Sequence, residues 1–536
     1  MHEKAPRQES GQVLRFGAGL NSTPTVDEIQ VSECTAGENF NLSLDNSEFQ
    51  PRRPFTLVGT APNALEITGY AQLHKQDGTL STLIQAKDKV YSWDGTTSGF
   101  TQVGTVAEGA KLRGSLDSNF TLDDKVIIVD ASMSETVKQW DGETFEDMPT
   151  NLNAGFYARY CFVENERAWF ADVLALRPTP HMIVGSKRGD PTVLSVNDRP
   201  SSALNDEDPF YLLSPDLRPV NGLVAAFGNV LFSSRQGSVY KVLGETARDF
   251  NIQPFYSGSA ATGVEGMVNV GNDVFYSKRG AIETLSGLEQ FGNVAVDDIT
   301  RFISEEVGQY DGFRLVYNRD RQRVYCFPKD DDRIYVFHKP IYDDVVKRVS
   351  LRDKAQYRSP WMKWTTNNDA TFIPSVAWAM LSPVTKKMEV YFGDASGNVY
   401  QMEGDEYTGD NAETDIKTFR TSGLFKAPQG QSHDLNGWIL YRNPYEDVTV
   451  TITFCWQGFT GYDQSIQVVL PKITGYPEWC GDEYFCGDSY FCVPDKCKVR
   501  RQEWSAAGRD AAFNVTIEAE TSKDFEILEV GFRFEG

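Results

Sequence analysis

Four cysteines, Cys480, Cys486, Cys492 and Cys497, form the densest group of potential chemistry in the chain, within Cys480-Gly481-Asp482-Glu483-Tyr484-Phe485-Cys486-Gly487-Asp488-Ser489-Tyr490-Phe491-Cys492. Thiolates in pairs hold zinc best on short two- to four-residue knuckles, and these gaps are longer, so zinc is a poor match for the spacing. Disulfides formed outside the cell, and reduced thiols in an elongated loop, are the other two readings. The near-repeat Cys-Gly-Asp-x-Tyr-Phe predicts an aromatic-studded loop over 478–498, with Tyr484, Phe485, Tyr490 and Phe491 as candidate partner contacts. Cys34, Cys161, Cys326 and Cys455 stand alone among strand-like residues and read as small buried hydrophobes.

The remaining reactive side chains argue against catalysis. His2, His74, His181, His338 and His433 share no motif, and no phosphate-binding G-x4-G-K-[ST], nucleophile-elbow G-x-S-x-G or zinc-binding H-E-x-x-H is present. Carboxylates cluster at Asp206-Glu207-Asp208, at Asp330-Asp331-Asp332 and through Asp405, Glu406, Asp410 and Asp415, but none follows the alternating ligand order of a calcium loop. They read as solvated turns. No residue is assigned a catalytic role, no cofactor is called for, and the expectation is a non-enzyme.

Elements must position whatever the chain does, and their signal is β. The 536 residues exceed what a single core supports unless the architecture is modular. Gly228-Asn229-Val230-Leu231-Phe232-Ser233-Ser234 with Gly237 matches Gly271-Asn272-Asp273-Val274-Phe275-Tyr276-Ser277 with Gly280 at a constant offset of 43. Val90-Tyr91-Ser92-Trp93-Asp94-Gly95 returns as Val137-Lys138-Gln139-Trp140-Asp141-Gly142, and Val390-Tyr391-Phe392-Gly393-Asp394 leads to Val399-Tyr400. Strand pairs recurring every forty-odd residues are the period of propeller blades, and some six units are expected between about 60 and 405. One helix is expected, over Asp297 to Val307, capped by Asp297.

Past residue 405 the period changes. Val448, Val450, Ile452 and Phe454 alternate with threonines, and Phe513-Val515-Ile517-Ala519 and Leu528-Val530-Phe532-Phe534 do likewise, which predicts a β-sandwich-like antiparallel domain over 406–536. Residues 1–55 read as an extended arm docking on something larger, and 56–405 as the propeller. The fold class is therefore all-β: a β-propeller with an extended N-terminal arm and a C-terminal antiparallel β-domain.

The 52 Lys and Arg against 75 Asp and Glu leave a formal net charge of −23 with no basic block, which opposes tight nucleic-acid binding; it is compatible with a wall that DNA slides past and equally with a solubility or high-salt adaptation. The opening Met-His-Glu-Lys has no apolar stretch after it, and no apolar run reaches membrane-spanning length, so synthesis in the cytoplasm without a spanning segment is expected.

Taken in order, Phe16-Gly17-Ala18-Gly19-Leu20-Asn21, Asn39 and Asn41, Arg167-Ala168-Trp169-Phe170-Ala171, Gly185-Ser186-Lys187-Arg188-Gly189-Asp190-Pro191, the 43-residue repeat, Pro360-Trp361-Met362-Lys363-Trp364 and the closing β-domain resemble the β-propeller tail nozzle or packaged-DNA stabilisation proteins of short-tailed phages. That resemblance implies a structural virion protein of the tail, assembled in the host cytoplasm. It further implies a homohexameric tube below the portal and its adaptor or head-to-tail connector, carrying tail fibre, needle or plug proteins and passing genomic DNA through its lumen without sequence-specific binding. The Cys-rich loop is not part of the resemblance. A glycan-binding or glycan-hydrolysing propeller is the alternative.

Overall fold

The computed structural model describes residues 11–472 and 500–535, apart from 23–28, 30, 43–47, 116–123, 153–154, 175–177, 196–203, 236, 259–260, 262–264, 291–292, 344–358, 366–372, 405–414, 427–431, 443–445, 457–462, 510–511 and 522–524. The loop 478–498 lies outside the described residues, and with it Cys480, Cys486, Cys492 and Cys497 and the contact candidates Tyr484, Phe485, Tyr490 and Phe491.

Among the described residues the expected propeller has seven four-stranded antiparallel blades. Their innermost strands, numbered here as blades 1 to 7, are Ile67–His74, Leu112–Gly114, Tyr157–Glu164, Val220–Ala226, Met267–Asn269, Phe313–Asn318 and Val376–Leu381. Blades 1 and 2 join in a single eight-stranded sheet through one parallel bridge, Arg113 to Tyr70, and the repeat of Val90–Gly95 at Val137–Gly142 falls on the third strand of each. The ring is closed out of sequence order. Thr56–Thr60, from the start of the chain, pairs with Asn398–Gln401 and supplies the outermost strand of blade 7, so blade 7 is complete only once residues some 340 apart meet.

The 43-residue repeat marks one structural position twice. Asn229–Ser234 and Asp273–Lys278 are the second strands of blades 4 and 5, and Gly228, Gly237, Gly271 and Gly280 all take positive φ, between +66° and +96°, in the turns that flank them. Only glycine adopts that backbone without strain, which is why the glycines recur with the strands.

Apolar side chains fill the wedges between blades. Val129 and Val137 of blade 2 meet Phe156, Phe170 and Val184 of blade 3; Phe162 and Trp169 meet Phe232 and Tyr240; Leu231 and Val239 meet Val274 and Tyr276. Each such side chain is almost fully buried and contributes ~1.5–3 kcal/mol by leaving water. The wedges, more than any single blade, hold the ring together.

The terminal domain is a sandwich of two sheets. One orders Gly11–Leu14, Glu526–Glu535, Ser432–Arg442 and Arg500–Arg509; the other orders Cys34–Glu38, Ile416–Ser422, Ala512–Thr521, Val448–Trp456 and Gln464–Leu470. Phe532 of the first packs on Phe425 and Phe513 of the second, with ring centroids 4.9 and 5.5 Å apart. Val448, Val450, Ile452 and Phe454 point inward as their alternation requires. In the last strand the inward set is Ile527, Val530 and Phe532 rather than an unbroken Leu528 series, because an irregularity opposite Leu440 and Tyr441 shifts the phase by one residue.

The N-terminal segment is not a free arm. Gly11–Leu14 and Cys34–Glu38 are edge strands of the two sandwich sheets, while Phe16, Ala18 and Leu20 are buried. The helix expected at Asp297 begins later. Asp297 still pairs with Thr284 at the edge of blade 5, and Asp298 caps a 3-10 turn, Ile299–Ile303, followed by one α-turn, Ser304–Val307.

Candidate functional site

Two places gather side chains from distant parts of the chain: the axis of the propeller and its joint with the sandwich. The axis holds a cavity of about 430 Å³ to which every blade contributes. Its wall mixes apolar residues, among them Leu223, Met267, Leu315, Trp378 and Met380, with the polar Gln72, His74, Asn269, Glu265 and Arg319. Trp378 and Tyr70 stack on each other at 5.1 Å and 12°, spending their faces on one another. A volume of about 430 Å³ is the share of little more than a dozen water molecules at ~30 Å³ each, too little space for a DNA duplex to pass.

At the end of the bore where the inner strands begin, Glu265 is gripped by Arg113, with Arg314 at 3.5 Å from its other oxygen. Arg113 also donates to the Thr68 and Leu112 carbonyls at 2.7 and 2.8 Å, and its guanidinium lies over the Tyr70 ring. Burial, with Arg113 nearby, pulls the Arg314 pKa down, and Glu265 opposes the shift. Both Arg113 and Glu265 keep under a tenth of their side chains exposed.

The joint brings together Phe16–Asn21, Asn39 and Pro360–Trp364. Gly19 N–H donates to the Ser359 carbonyl at 2.7 Å and Leu20 N–H to that of Trp361 at 2.8 Å, so the Phe16–Asn21 segment runs against the outermost strand of blade 6, Trp361–Trp364. A Cβ on Gly19 would sit 2.1 Å from the Trp361 carbonyl oxygen; only glycine allows this approach. Trp361 and Trp364 donate their indole N–H to the Ile299 and Phe40 carbonyls at 2.7 and 2.9 Å.

Asn39, left-handed at φ 58°, links three parts of the chain. Its amide donates to Thr365 Oγ1 and the Lys417 carbonyl, and its Oδ1 accepts from Thr365 N–H and Arg52 Nε. Arg52 is fully buried, 3.8 Å over the Phe55 ring. Arg420, from the sandwich, donates to the carbonyls of Phe16, Ala18 and Ser32 between the rings of Phe16 and Phe40. On the propeller side Glu403 receives Arg321 and Arg323, each at 2.9 Å. Burial alone would raise the Glu403 pKa, but the two guanidiniums and the Tyr325 hydroxyl hold it below the ordinary glutamate value.

The other candidates settle into structural positions. Cys34, Cys161 and Cys326 are buried and Cys455 half-buried, and burial raises all four thiols, Cys34 to about 11. His74 lines the axial cavity, whereas His338 ends a strand of blade 6. The Asp206-Glu207-Asp208 turn is organised by Arg167, which donates to all three of its backbone carbonyls. Asp331 accepts from the Tyr310 hydroxyl at 2.8 Å, and Asp405, Glu406 and Asp410 lie outside the described residues. Among the described residues no three His, Cys, Asp or Glu side chains converge as metal ligands, and no helix is long and apolar enough to cross a membrane. Sequence alone picks out Arg52 only within Pro51-Arg52-Arg53-Pro54 of the arm, and it does not single out Arg113, Glu265, Arg314 or Arg420. The visible trace of Arg113 and Arg314 is a charge inside a short apolar strand, Leu112-Arg113-Gly114 and Phe313-Arg314-Leu315.

The chain is thus a seven-bladed β-propeller closed by its own N-terminal strand and joined through buried arginines to a β-sandwich. No family model matches it, and no curated protein does. Among solved structures it is similar to the computationally designed Ika8 protein, at 12% identity over 65% of this chain and 99% of that one, with a TM-score of 0.36. A chain of the mitotic checkpoint complex matches at 10% identity over 66% and 93%, TM-score 0.37. The WD40 domain of coronin from Toxoplasma gondii matches at 10% over 69% and 86%, TM-score 0.38. The propeller assignment rests on the chain's own strand pairing.

Proposed function

We propose that the protein is a structural component of a virion tail, a nozzle subunit that forms a homohexameric tube below the portal and adaptor, retains packaged DNA and conducts it during ejection. One observation carries this reading: motifs of the phage-tail resemblance that lie some 340 residues apart, Phe16–Asn21 and Pro360–Trp364, are hydrogen-bonded to each other at the joint, with Asn39 beside them. A tube wall under the pressure of a packed genome has to keep its shape, and a closed ring welded to a sandwich does so. The net charge of −23 favours passage over grip. The axial cavity is too small for a duplex, so the conducting lumen of this reading lies between copies, not through a propeller. Adaptor, fibre, needle and plug proteins belong to the same reading.

The test is the mass of the purified protein by native mass spectrometry, joined to electron microscopy. A six-membered ring near six times 60.1 kDa is expected; monomers at micromolar concentration and no ring would sink the reading. The glycan-binding alternative predicts hits on a glycan array.

A further inference from the structure

We infer that the Arg113–Glu265–Arg314 cluster is a brace across the diameter of the propeller, closing its axis at one end. Arg113 belongs to the inner strand of blade 2, Arg314 to that of blade 6, and Glu265 stands immediately before that of blade 5, its carbonyl accepting from Leu315 N–H at 2.9 Å. In a ring of seven, blade 2 touches blades 1 and 3, and the two blades farthest from it are 5 and 6. An ion pair between blade 2 and these two cannot run along the ring. It crosses the axis.

Burial gives an independent indication. An arginine reaching into an open, water-filled bore would be largely exposed, yet the Arg113 and Glu265 side chains are 8% and 9% exposed. Arg113 and Glu265 therefore fill the axis at that level, with Arg314, 22% exposed, at its margin, and the Arg113 guanidinium is further fixed by the Thr68 and Leu112 carbonyls and the Tyr70 ring. Charge favours the crossing: two guanidiniums share one carboxylate, and Arg113 and Arg314 would repel each other without it. The brace ties one side of the ring to the other. Blade-to-blade wedges and the Thr56–Thr60 closure act only between neighbours. The inference stands independently of the nozzle reading and holds for the isolated chain.

Glu265→Gln in the full chain tests it, followed by thermal unfolding and by hydrogen exchange read by mass spectrometry. The expected result is a Tm lowered by several degrees and exchange at least ~10-fold faster in the inner strand of blade 2, 112–114, on the far side of the axis from the substitution. A role confined to the neighbourhood of Glu265 would speed exchange in blades 5 and 6 only, and unchanged protection at 112–114 overturns the brace. If Glu265→Gln does not fold, Glu265→Asp, which keeps the charge but shortens the reach by one methylene, is expected to give the same transaxial loss in milder form. Arg113→Met supplies the second arm: its Tm shift shrinks in the Glu265→Gln background if the two side chains act as a unit, and equal shifts in both backgrounds refute the pairing.

Discussion

Replacing Arg420 by methionine keeps most of the side-chain length and removes the charge at the joint. Arg420 is 2% exposed and donates to the carbonyls of Phe16, Ala18 and Ser32, the first at 2.9 Å, the first two buried and the third half-buried. Leaving a buried acceptor without its donor costs ~1–3 kcal/mol each, so the two buried acceptors set a gross loss of ~2–6 kcal/mol. Against this stands the recovered cost of burying a guanidinium. That cost is real here, since burial pulls the Arg420 pKa down although Cys34 and Glu33 oppose it. Because the groups left behind are neutral carbonyls and not an unpaired charge, the balance is a loss of ~2–4 kcal/mol. Because the contacts tie residues 16–32 to the strand Ile416–Ser422, the loss falls on the joint. Urea unfolding followed by hydrogen exchange is expected to show residues 16–21 and 416–422 opening first, with the blade 3 and 4 strands still protected. Arg420→Lys, a compact ammonium unable to span three carbonyls, recovers only part of the loss. Arg420→Met within ~1 kcal/mol of the wild type would refute the assignment of the joint's strength to this side chain.

Two further outcomes follow from the same region. Gly19→Ala places a methyl 2.1 Å from the Trp361 carbonyl oxygen and 2.8 Å from that of Ser359, both backbone atoms that cannot swing aside. It should cost ~3 kcal/mol or more in denaturant unfolding, whereas Gly78→Ala, with nothing within 4 Å, should cost only the ~1–2 kcal/mol of a left-handed backbone. His338 is 7% exposed, and burial first, then Arg323, depress its pKa to about 3, with Glu403 opposing. The neutral ring is thus the folded form. Its stability is present above the unfolded value near 6.5 and is lost as pH falls toward 3, reaching ~2 kcal/mol by pH 5. His74 is lowered in the same direction, so the measurement is the difference between wild type and His338→Gln in urea titrations from pH 7 to 5; parallel curves would refute the assignment.

The propeller was legible because blades are local. Each hairpin lies within forty-odd residues, and its turn glycines at Gly228, Gly237, Gly271 and Gly280 recur with it, so period and strand type appear together in one stretch of chain. The sandwich strands were legible for the same reason, down to the inward set of Val448–Trp456. The number of blades was legible only as some six units, and seven are present among the described residues. What the arm docks on was not legible, because its residues look alike whether they pack on a partner or on their own chain; the pairing of Gly11–Leu14 with Glu526–Glu535 shows that its first strand docks on the sandwich.

What sequence could not show is what a closed ring creates by closing. Arg113 and Glu265 are 152 residues apart, Arg420 and Phe16 404, Thr60 and Asn398 338. None of these pairs lies within a window over which periodicity can be read, and each residue alone is one charged or polar side chain on a strand. Closure turns separation in sequence into opposition across an axis or contact at a joint. Buried charge is tolerated there because each guanidinium meets several acceptors at once: Arg113 meets Glu265 and two carbonyls, Arg420 meets three carbonyls, and Arg52 meets Asn39 and the Thr365 carbonyl. The residues that set the mechanical character of this protein are therefore those whose sequence neighbourhoods are least distinctive. In an all-β ring, a lone arginine within an apolar inner strand is the signal to follow.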